Sequence, residues 1–268
     1  DIYWLNRKET MARHRGTYKP ENPVPYELGR SRIQSFMDCP ACFYLDRVKG
    51  IPIPSLYGWP LNSATDYLLK KDFDAYRPRQ EPHPFLAKRG LGHLIPLQHE
   101  DFQRWTVATQ LGLNTIHEGT NLKVGGGLDD VWLNTKTDQI HVVDYKSTSS
   151  GKEGNVISLD DRPYIKIQIE FYQWVLKQNG FDVSPTGYVL YVDGDRFTPD
   201  GMLGEDDATM QFKVSLLDFE GNTDWVEPVL FEIREMLDTL TCPDHEFSCP
   251  YGESVYYTHL TLPTNREV

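Results

Sequence analysis

The sequence contains no long apolar run, and no apolar stretch follows the basic residues near its start. A membrane-spanning helix needs about 18 or more consecutive apolar residues. A secretory signal peptide needs an apolar segment behind its basic start. Both absences argue against membrane insertion and export, and we expect a cytoplasmic protein with no membrane partner.

Basic residues are also in the minority: 27 Lys and Arg stand against 39 Asp and Glu, which gives a formal net charge of -12. A passive nucleic-acid binder usually carries a basic surface. An enzyme that holds a divalent metal through carboxylates remains compatible with this balance. The sequence also lacks a P-loop, a G-x-S-x-G elbow and an H-E-x-x-H motif, so it offers no support for the enzyme classes that use them.

Hydrophobic periodicity and turn signals divide the chain into alternating elements. We predict helices, the first with Ser31 as a possible N-cap, over residues 31–37, 62–76, 100–111, 164–179 and 225–240. We predict strands over residues 122–134, 139–147, 187–192 and 211–217. Residues 1–28 are expected to form a loose N-terminal arm, with a plausible start at Met11, and residues 29–254 a single domain. Residues 255–268 resemble a translated sequencing adapter and are expected to be a non-native tail.

The first two predicted strands, 122–134 and 139–147, carry the residues that indicate chemistry, and a polar turn joins them. Asp129 and Asp144 are equidistant from the centre of that turn. In a symmetric hairpin they lie opposite each other, with Cβ atoms about 5 Å apart. Two carboxylates at that distance repel unless a cation lies between them, and Mg²⁺ prefers carboxylate oxygens.

Lys146 follows Asp144 by two residues, and strand side chains alternate with period 2, so both project from the same face. The neighbours Val142, Val143 and Tyr145 are apolar, which favours a central strand. Asp and Lys are rarely buried unless they are paired. An ordinary surface hairpin remains the alternative. The glycines of 125–127, just before Asp129, indicate a bulge or a close backbone approach.

These residues resemble the RecB-type branch of the PD-(D/E)XK nucleases. That branch shows G-x-x-D, D-x-K and then Q-x-x-x-Y on the following helix, as in Gly126-Gly-Leu-Asp129, Asp144-Tyr-Lys146 and Gln168-Ile-Glu-Phe-Tyr172. The opening helix, S-x₇-C-P in the family, is matched by Ser31 to Pro40. The resemblance implies an α/β, restriction-endonuclease-like core, with a mixed central sheet flanked by helices and an N-terminal helical part.

The resemblance also implies roles for individual residues. Asp129 and Asp144 would bind Mg²⁺ or Mn²⁺, and Lys146 would be the catalytic lysine. Gln168 and Tyr172 would contact DNA or support the site, although the same helix also fits a plain amphipathic pattern.

One position departs from the family pattern, which often has a metal-binding His on an early helix in the form G-x-x-x-H. Counting from Gly58 places Asn62 at that position. Asp66 lies one helical turn later on the same face. An Asp can bind Mg²⁺ or Mn²⁺, so Asp66 is the candidate substitute ligand. An exposed helical Asp without that role is the alternative. His93, His99 and His117 are expected to be structural or surface residues.

The sequence has four cysteines, Cys39, Cys42, Cys242 and Cys249. In a cytosolic protein a C-x-x-C pair is more often metal-binding or redox-active than a structural disulfide. Some members of the superfamily bind an iron–sulfur cluster that joins their N- and C-terminal parts. The four cysteines would suit such a cluster or a structural zinc site, in which His245 could replace one ligand. Four unconnected thiols remain the alternative.

We therefore predict a DNA nuclease, of exonuclease or trimming type, that acts on single-stranded or ended DNA. DNA repair, recombination, and the processing of mobile elements or CRISPR spacers are the expected settings. A binding module that keeps the nuclease fold but has weakened catalysis, stapled by the cysteine site, is the first alternative. An unrelated metal hydrolase that uses the same two aspartates is the second.

Overall fold

The computed structural model describes residues 13–53, 60–149, 157–198 and 201–246, together with Cys249 and Tyr251. The strands are β1 (Tyr26–Gly29), β2 (Leu94–Pro96), β3 (Leu113–His117), β4 (Leu122–Gly126), β5 (Asp130–Asn134), β6 (Ile140–Thr148), β7 (Thr186–Gly194) and β8 (Phe212–Glu220). The helices are α1 (Arg30–Asp38), α2 (Pro40–Arg47), α3 (Pro60–Asp74), α4 (Pro84–Ala87), α5 (Phe102–Trp105), α6 (Pro163–Gln178) and α7 (Val226–Thr239). No helix among the described residues is long and apolar enough to cross a membrane.

The strands form two sheets. A three-stranded sheet has the order β1-β4-β3, and a five-stranded sheet has the order β2-β5-β6-β7-β8. In the larger sheet β6 pairs in parallel with β7 and antiparallel with β5, so the sheet is mixed. Parallel neighbours need a crossover connection, and α6 lies within that connection. The expectation of an α/β chain with a mixed sheet flanked by helices is confirmed.

The two faces of β6 have different partners because successive strand residues point to opposite sides. Val143 and Tyr145 belong to a buried cluster with Phe73 of α3 and Trp132 of β5. Asp144, between them in sequence, contacts α6 instead. The prediction that 139–147 is a central strand is confirmed, since β6 has sheet neighbours on both sides.

The chain divides into two compact units. The first comprises Asp1–Pro54, Ile116–Val124 and Val229–Val268; the second comprises Ser55–Thr115 and Gly125–Pro228. The proposed domain of residues 29–254 draws on both units. The proposed tail at 255–268 lies outside the described residues.

Residues 13–28 do not form the loose N-terminal arm that was expected for residues 1–28. Tyr26 and Leu28 of β1 are buried, and the backbone N–H of Tyr26 donates to the carbonyl of Asn121 at 3.1 Å. The His14 ring is also buried and stacks on Tyr18. Aromatic burial anchors this segment, a stabilisation that its polar and proline-rich composition concealed. Residues 1–12 lie outside the description.

Three local predictions were wrong. The strand expected over 122–134 is two strands in different sheets, β4 and β5, separated by residues 127–129. The helix expected over 100–111 is the short α5 and a 3₁₀ turn at Ala108–Gln110, because Val107 has a non-helical backbone between them. Ser31 lies inside α1 and does not cap it; the N-cap is Gly29, without a side-chain hydrogen bond.

The glycines at 125–127 explain why the strand predicted over 122–134 is interrupted. A Cβ on Gly125 would lie 2.3 Å from the carbonyl oxygen of Leu113, and one on Gly127 would lie 2.8 Å from that of Thr106. Both distances are too short for any side chain. The expected close backbone approach is therefore present, and it allows the chain to leave one sheet and enter the other just before Asp129.

Candidate active site

The β5–β6 hairpin sets the positions of the two central carboxylates. Asp130 pairs with Val143 and Leu133 with Ile140, so the register is symmetric about the predicted turn. Continued outward by one residue, this register places Asp129 opposite Asp144. The predicted alignment of the hairpin is confirmed, with Asp129 one residue before β5 begins.

The Asp144 carboxylate is buried and has a different partner for each oxygen. Oδ1 accepts a hydrogen bond of 2.7 Å from Gln168 Nε2 on α6. Oδ2 lies 2.5 Å from the Nζ of Lys146, which confirms that both side chains share one face of β6. The Asp144 side chain is only 3% exposed, whereas that of Lys146 is 24% exposed. The ammonium can therefore reach the surface while the carboxylate cannot.

The Asp129 carboxylate lies beside that of Asp144 and is held by two donors. The backbone N–H of Tyr145 donates to Oδ2 at 3.0 Å, and Lys70 Nζ lies 2.9 Å from Oδ1. A backbone donor fixes the orientation of the carboxylate without depending on a flexible side chain. Lys70 belongs to α3, and its contact with Asp129 was not predicted.

The two carboxyl groups differ in acidity. Burial raises the pKa of Asp144 to about 7, with a further increase from the neighbouring Asp129, and the Lys146 ammonium only partly opposes this. Burial also acts to raise the pKa of Asp129, but Lys146 and Lys70 outweigh it and the net shift is downward. The lysine ammoniums thus do not suffice for both adjacent carboxylates to ionise easily. A divalent cation bound between them would favour the ionised form of both.

Helix α3 brings the predicted substitute ligand to the same cluster. Lys70 Nζ lies 3.0 Å from Asp66 Oδ2 and so bridges Asp66 and Asp129. Burial and the charge of Asp129 raise the pKa of Asp66. Asn62, one turn earlier, donates from Nδ2 to the carbonyl of Ser147 at 3.3 Å. The i,i+4 spacing of Asp66 and Lys70 was the available signal for this contact, but the sequence does not reveal that Asp129 is the third partner.

Gln168 and Tyr172 lie one turn apart on α6, and Gln168 is hydrogen-bonded to the Asp144 carboxylate. The Tyr172 hydroxyl donates to the carbonyl of Gly127 at 2.7 Å, two residues before Asp129. Tyr172 is 4% exposed. This burial favours a role in holding the segment before Asp129 over direct contact with DNA.

A second buried acid, Asp130, lies behind the site and was missed. Arg77 Nη2 donates to its Oδ1 at 2.7 Å, and the Tyr145 hydroxyl donates to its Oδ2 at 2.6 Å. Burial raises the pKa of Asp130 against the opposing charge of Arg77. Arg77 also stacks on the Phe102 ring, with its guanidinium carbon 3.6 Å from the ring centroid. The Arg77–Asp130 pair therefore stabilises the β5–β6 hairpin from inside the core.

The donor set around Asp144 suits a hard divalent cation. Carboxylate oxygens are the ligands that Mg²⁺ and Mn²⁺ prefer. Asp144 is buried, and its Oδ2 lies against the Lys146 ammonium, which is a monovalent counter-charge. Two adjacent carboxylates that are largely removed from water are costly unless cations pair with them. The residues present therefore fit the metal that the resemblance implies.

The cysteine cluster lies in the first compact unit and differs from the predicted set of Cys39, Cys42, Cys242 and Cys249. Cys39, Cys42, His245 and Cys249 offer ligand atoms that all lie within 4.8 Å of one another. Cys242 is exposed and its thiol donates to the carbonyl of Pro243. His245, which was expected as a replacement for one cysteine ligand, takes the place of Cys242.

Comparison with known proteins agrees with this geometry. A model of the PD-(D/E)XK nuclease superfamily matches residues 75–253, well over half of the chain. The match includes Asp129, Asp144 and Lys146, whereas Asp66 and Lys70 precede it. No curated protein matches the chain significantly. The five-stranded mixed sheet with its flanking helices is consistent with the restriction-endonuclease-like fold of that superfamily.

Proposed function

The chain belongs to the PD-(D/E)XK nuclease superfamily, and from that premise we propose that it is a divalent-metal-dependent DNA nuclease of the RecB-type branch. The observation that carries the proposal is the group of Asp129, Asp144 and Lys146 on one face of the hairpin, with Lys146 Nζ 2.5 Å from Asp144 Oδ2. Exonucleolytic trimming in DNA repair, recombination, or mobile-element and CRISPR processing is the proposed setting.

Asp129 and Asp144 would hold Mg²⁺ or Mn²⁺, with Asp66 as a third ligand once Lys70 moves aside. A bound ion of this kind lowers the pKa of its water and neutralises charge on the phosphate. Lys146 keeps a partly exposed ammonium beside the carboxylates, where it would stabilise negative charge that develops on a phosphodiester. Gln168 fixes the orientation of the Asp144 carboxylate through its hydrogen bond to Oδ1.

The surroundings of Asp129 favour single-stranded or ended DNA as substrate. A cavity of about 280 Å³ beside Asp129 is lined by side chains that include Tyr67, Lys71 and Gln103. Tyr67 is 67% exposed and directly follows Asp66 on α3. An exposed aromatic ring stacks on unpaired bases with about 1–3 kcal/mol per base, whatever their sequence. Tyr67→Ala should therefore weaken single-strand binding about 5- to 150-fold, as measured by fluorescence anisotropy in Ca²⁺.

The direct test is cleavage of end-labelled single-stranded and duplex DNA with Mn²⁺, with Mg²⁺ and with chelator. Wild type should cleave only with metal, and Lys146→Ala should lose about 10²–10³-fold in rate. Lys136→Ala is the matched control, because Lys136 is an exposed lysine in the turn of the same hairpin. Equal cleavage by wild type and Lys146→Ala would show that the observed activity does not use this site.

A DNA-binding module with weakened catalysis is the second candidate. The observation that favours it is the Lys70 ammonium, which pairs with both Asp66 and Asp129 and so competes with a metal ion. DNA binding without cleavage in Mg²⁺, Mn²⁺ or Co²⁺ would support this candidate. Cleavage that appears on Lys70→Met would identify Lys70 as the cause.

A further inference from the structure

The cysteine cluster joins two segments that are far apart in sequence. Cys39 and Cys42 lie at the start of α2, whereas His245 and Cys249 follow α7. Cys39 and Cys42 are buried, and Ile53 and Tyr251 pack against the group. The low exposure of Cys39 and Cys42 favours their use as structural ligands over redox chemistry at the surface.

The separations of the ligand atoms match those around one tetrahedral ion. His245 Nδ1 lies 3.4 Å from Cys39 Sγ and 3.6 Å from Cys42 Sγ, and Cys42 Sγ lies 3.4 Å from Cys249 Sγ. Zinc–sulfur bonds of about 2.3 Å and zinc–nitrogen bonds of about 2.1 Å, at tetrahedral angles, give S···S of about 3.8 Å and S···N of about 3.6 Å. No disulfide links these residues; all four cysteines are free thiols.

The same separations argue against an iron–sulfur cluster. In a cubane each thiolate binds a different iron, so its ligands are spread around a body several ångströms wide. Four ligand atoms within 4.8 Å of one another enclose a single ion. The fourth position is a histidine nitrogen, and the exposed Cys242 lies outside the group.

The spacing of the ligands also suits zinc. Cys39 and Cys42 are separated by two residues, and His245 and Cys249 by three. Two short-spaced pairs from distant segments are the usual construction of a structural zinc site, in which all four positions are filled by protein. Zinc has no redox chemistry and accepts mixed sulfur and nitrogen ligands in tetrahedral geometry.

We propose that Cys39, Cys42, His245 and Cys249 form a structural Zn²⁺ site that clamps the segment after α7 to the start of α2. The ion would close a loop of some two hundred residues, and such long closures stabilise a fold by restricting the unfolded chain. The site is separate from the proposed Mg²⁺ or Mn²⁺ centre in ligand type, and the proposal stands whether or not the chain is a nuclease.

Metal analysis of the purified full chain tests the proposal. We expect one equivalent of zinc per chain, a colourless protein and no inorganic sulfide. Growth with Co²⁺ should give the visible d–d bands of a tetrahedral cobalt–thiolate site. Titration of the thiols with a mercurial should release the zinc as the ligands are consumed. A brown protein with iron and acid-labile sulfide would overturn the assignment, as would purified protein that neither contains zinc nor takes it up.

Variants then identify the ligands. Cys42→Ser and Cys249→Ser should lose zinc, and His245→Cys should retain it where His245→Ala does not. Cys242→Ser is the matched control and should keep its full zinc content, as should Asp144→Asn at the other site. Loss of zinc from Cys242→Ser together with retention in His245→Ala would contradict the ligand set. If the serine variants do not fold, the cobalt spectrum and mercurial titration of wild type still decide.

Discussion

Lys70 gives the sharpest test of the proposed metal centre, because its ammonium pairs with two of the three proposed ligands. Nζ lies 2.9 Å from Asp129 and 3.0 Å from Asp66. Without metal, the ammonium is a counter-charge for both carboxylates. With metal bound, that charge is redundant and competes with the ion. Lys70→Met replaces the ammonium by an unbranched, uncharged side chain that is one atom shorter, so it separates the two situations.

The expected loss in unfolding free energy on Lys70→Met follows from the burial of the Lys70–Asp129 pair. The Lys70 side chain is 27% exposed and that of Asp129 is 15% exposed. Breaking a fully buried pair costs about 3–5 kcal/mol and an exposed one about 0–1. For this partly buried pair we expect the substitution to lower the unfolding free energy by about 1–3 kcal/mol in the presence of chelator. For a domain of this size, that corresponds to a Tm lower by roughly 2–12 °C. The same free energy should appear as about 5- to 150-fold tighter Mn²⁺ binding.

Thermal unfolding in chelator and in saturating Mn²⁺ measures the first effect, and calorimetric titration of Mn²⁺ measures the second. The loss in Tm should be present in chelator and largely absent in Mn²⁺. Lys71→Met, at the exposed neighbouring position of α3, should change neither value. Equal destabilisation in both conditions, or weaker Mn²⁺ binding by Lys70→Met, would refute the competition between Lys70 and the metal.

Two further predictions concern residues that support the site, and a third concerns His141, a buried residue of β6 whose Nδ1 lies 2.9 Å from the carbonyl oxygen of Thr186. Gln168→Leu removes the hydrogen-bond donor to Asp144 and should lower the cleavage rate about 10- to 100-fold without unfolding the chain. Gln168→Glu should lower the rate further because it places a second carboxylate against Asp144. Steady-state cleavage rates and circular dichroism check both variants. Arg77→Met leaves Asp130 buried without its counter-charge and should cost about 3–5 kcal/mol in urea unfolding; a loss below 1 kcal/mol would show that the pair is dispensable. Burial lowers the pKa of His141, so its contribution to stability is complete above the unfolded value of about 6.5 and is lost as pH falls below it. His141→Gln should therefore show a smaller drop in Tm between pH 7 and 5 than wild type, and an unchanged drop would exclude His141.

Local pattern was a good guide to β6 and α6, and a poor one where the chain changes direction. The common face of Val142, Asp144 and Lys146 depends only on the two-residue period of a strand. The hairpin register followed from a symmetric turn. The interruption after Gly126 depends instead on the close approach of the Leu111–Leu113 backbone. That approach is a tertiary contact, and the glycines indicated it without showing that the strand would end there.

The sequence by itself determined the opposed carboxylates Asp129 and Asp144 and the lysine beside them, because a hairpin relates these residues through contiguous chain with a fixed period. It also indicated a metal site with Cys39, Cys42 and Cys249, and offered both Cys242 and His245 for the remaining position. Only the tertiary structure decided that Lys70 pairs with Asp129 and that His245, not Cys242, completes the cluster. Both choices depend on how helices and the segments after them pack. Side-chain partners set by such packing are separated by tens to hundreds of residues, and no local periodicity records them.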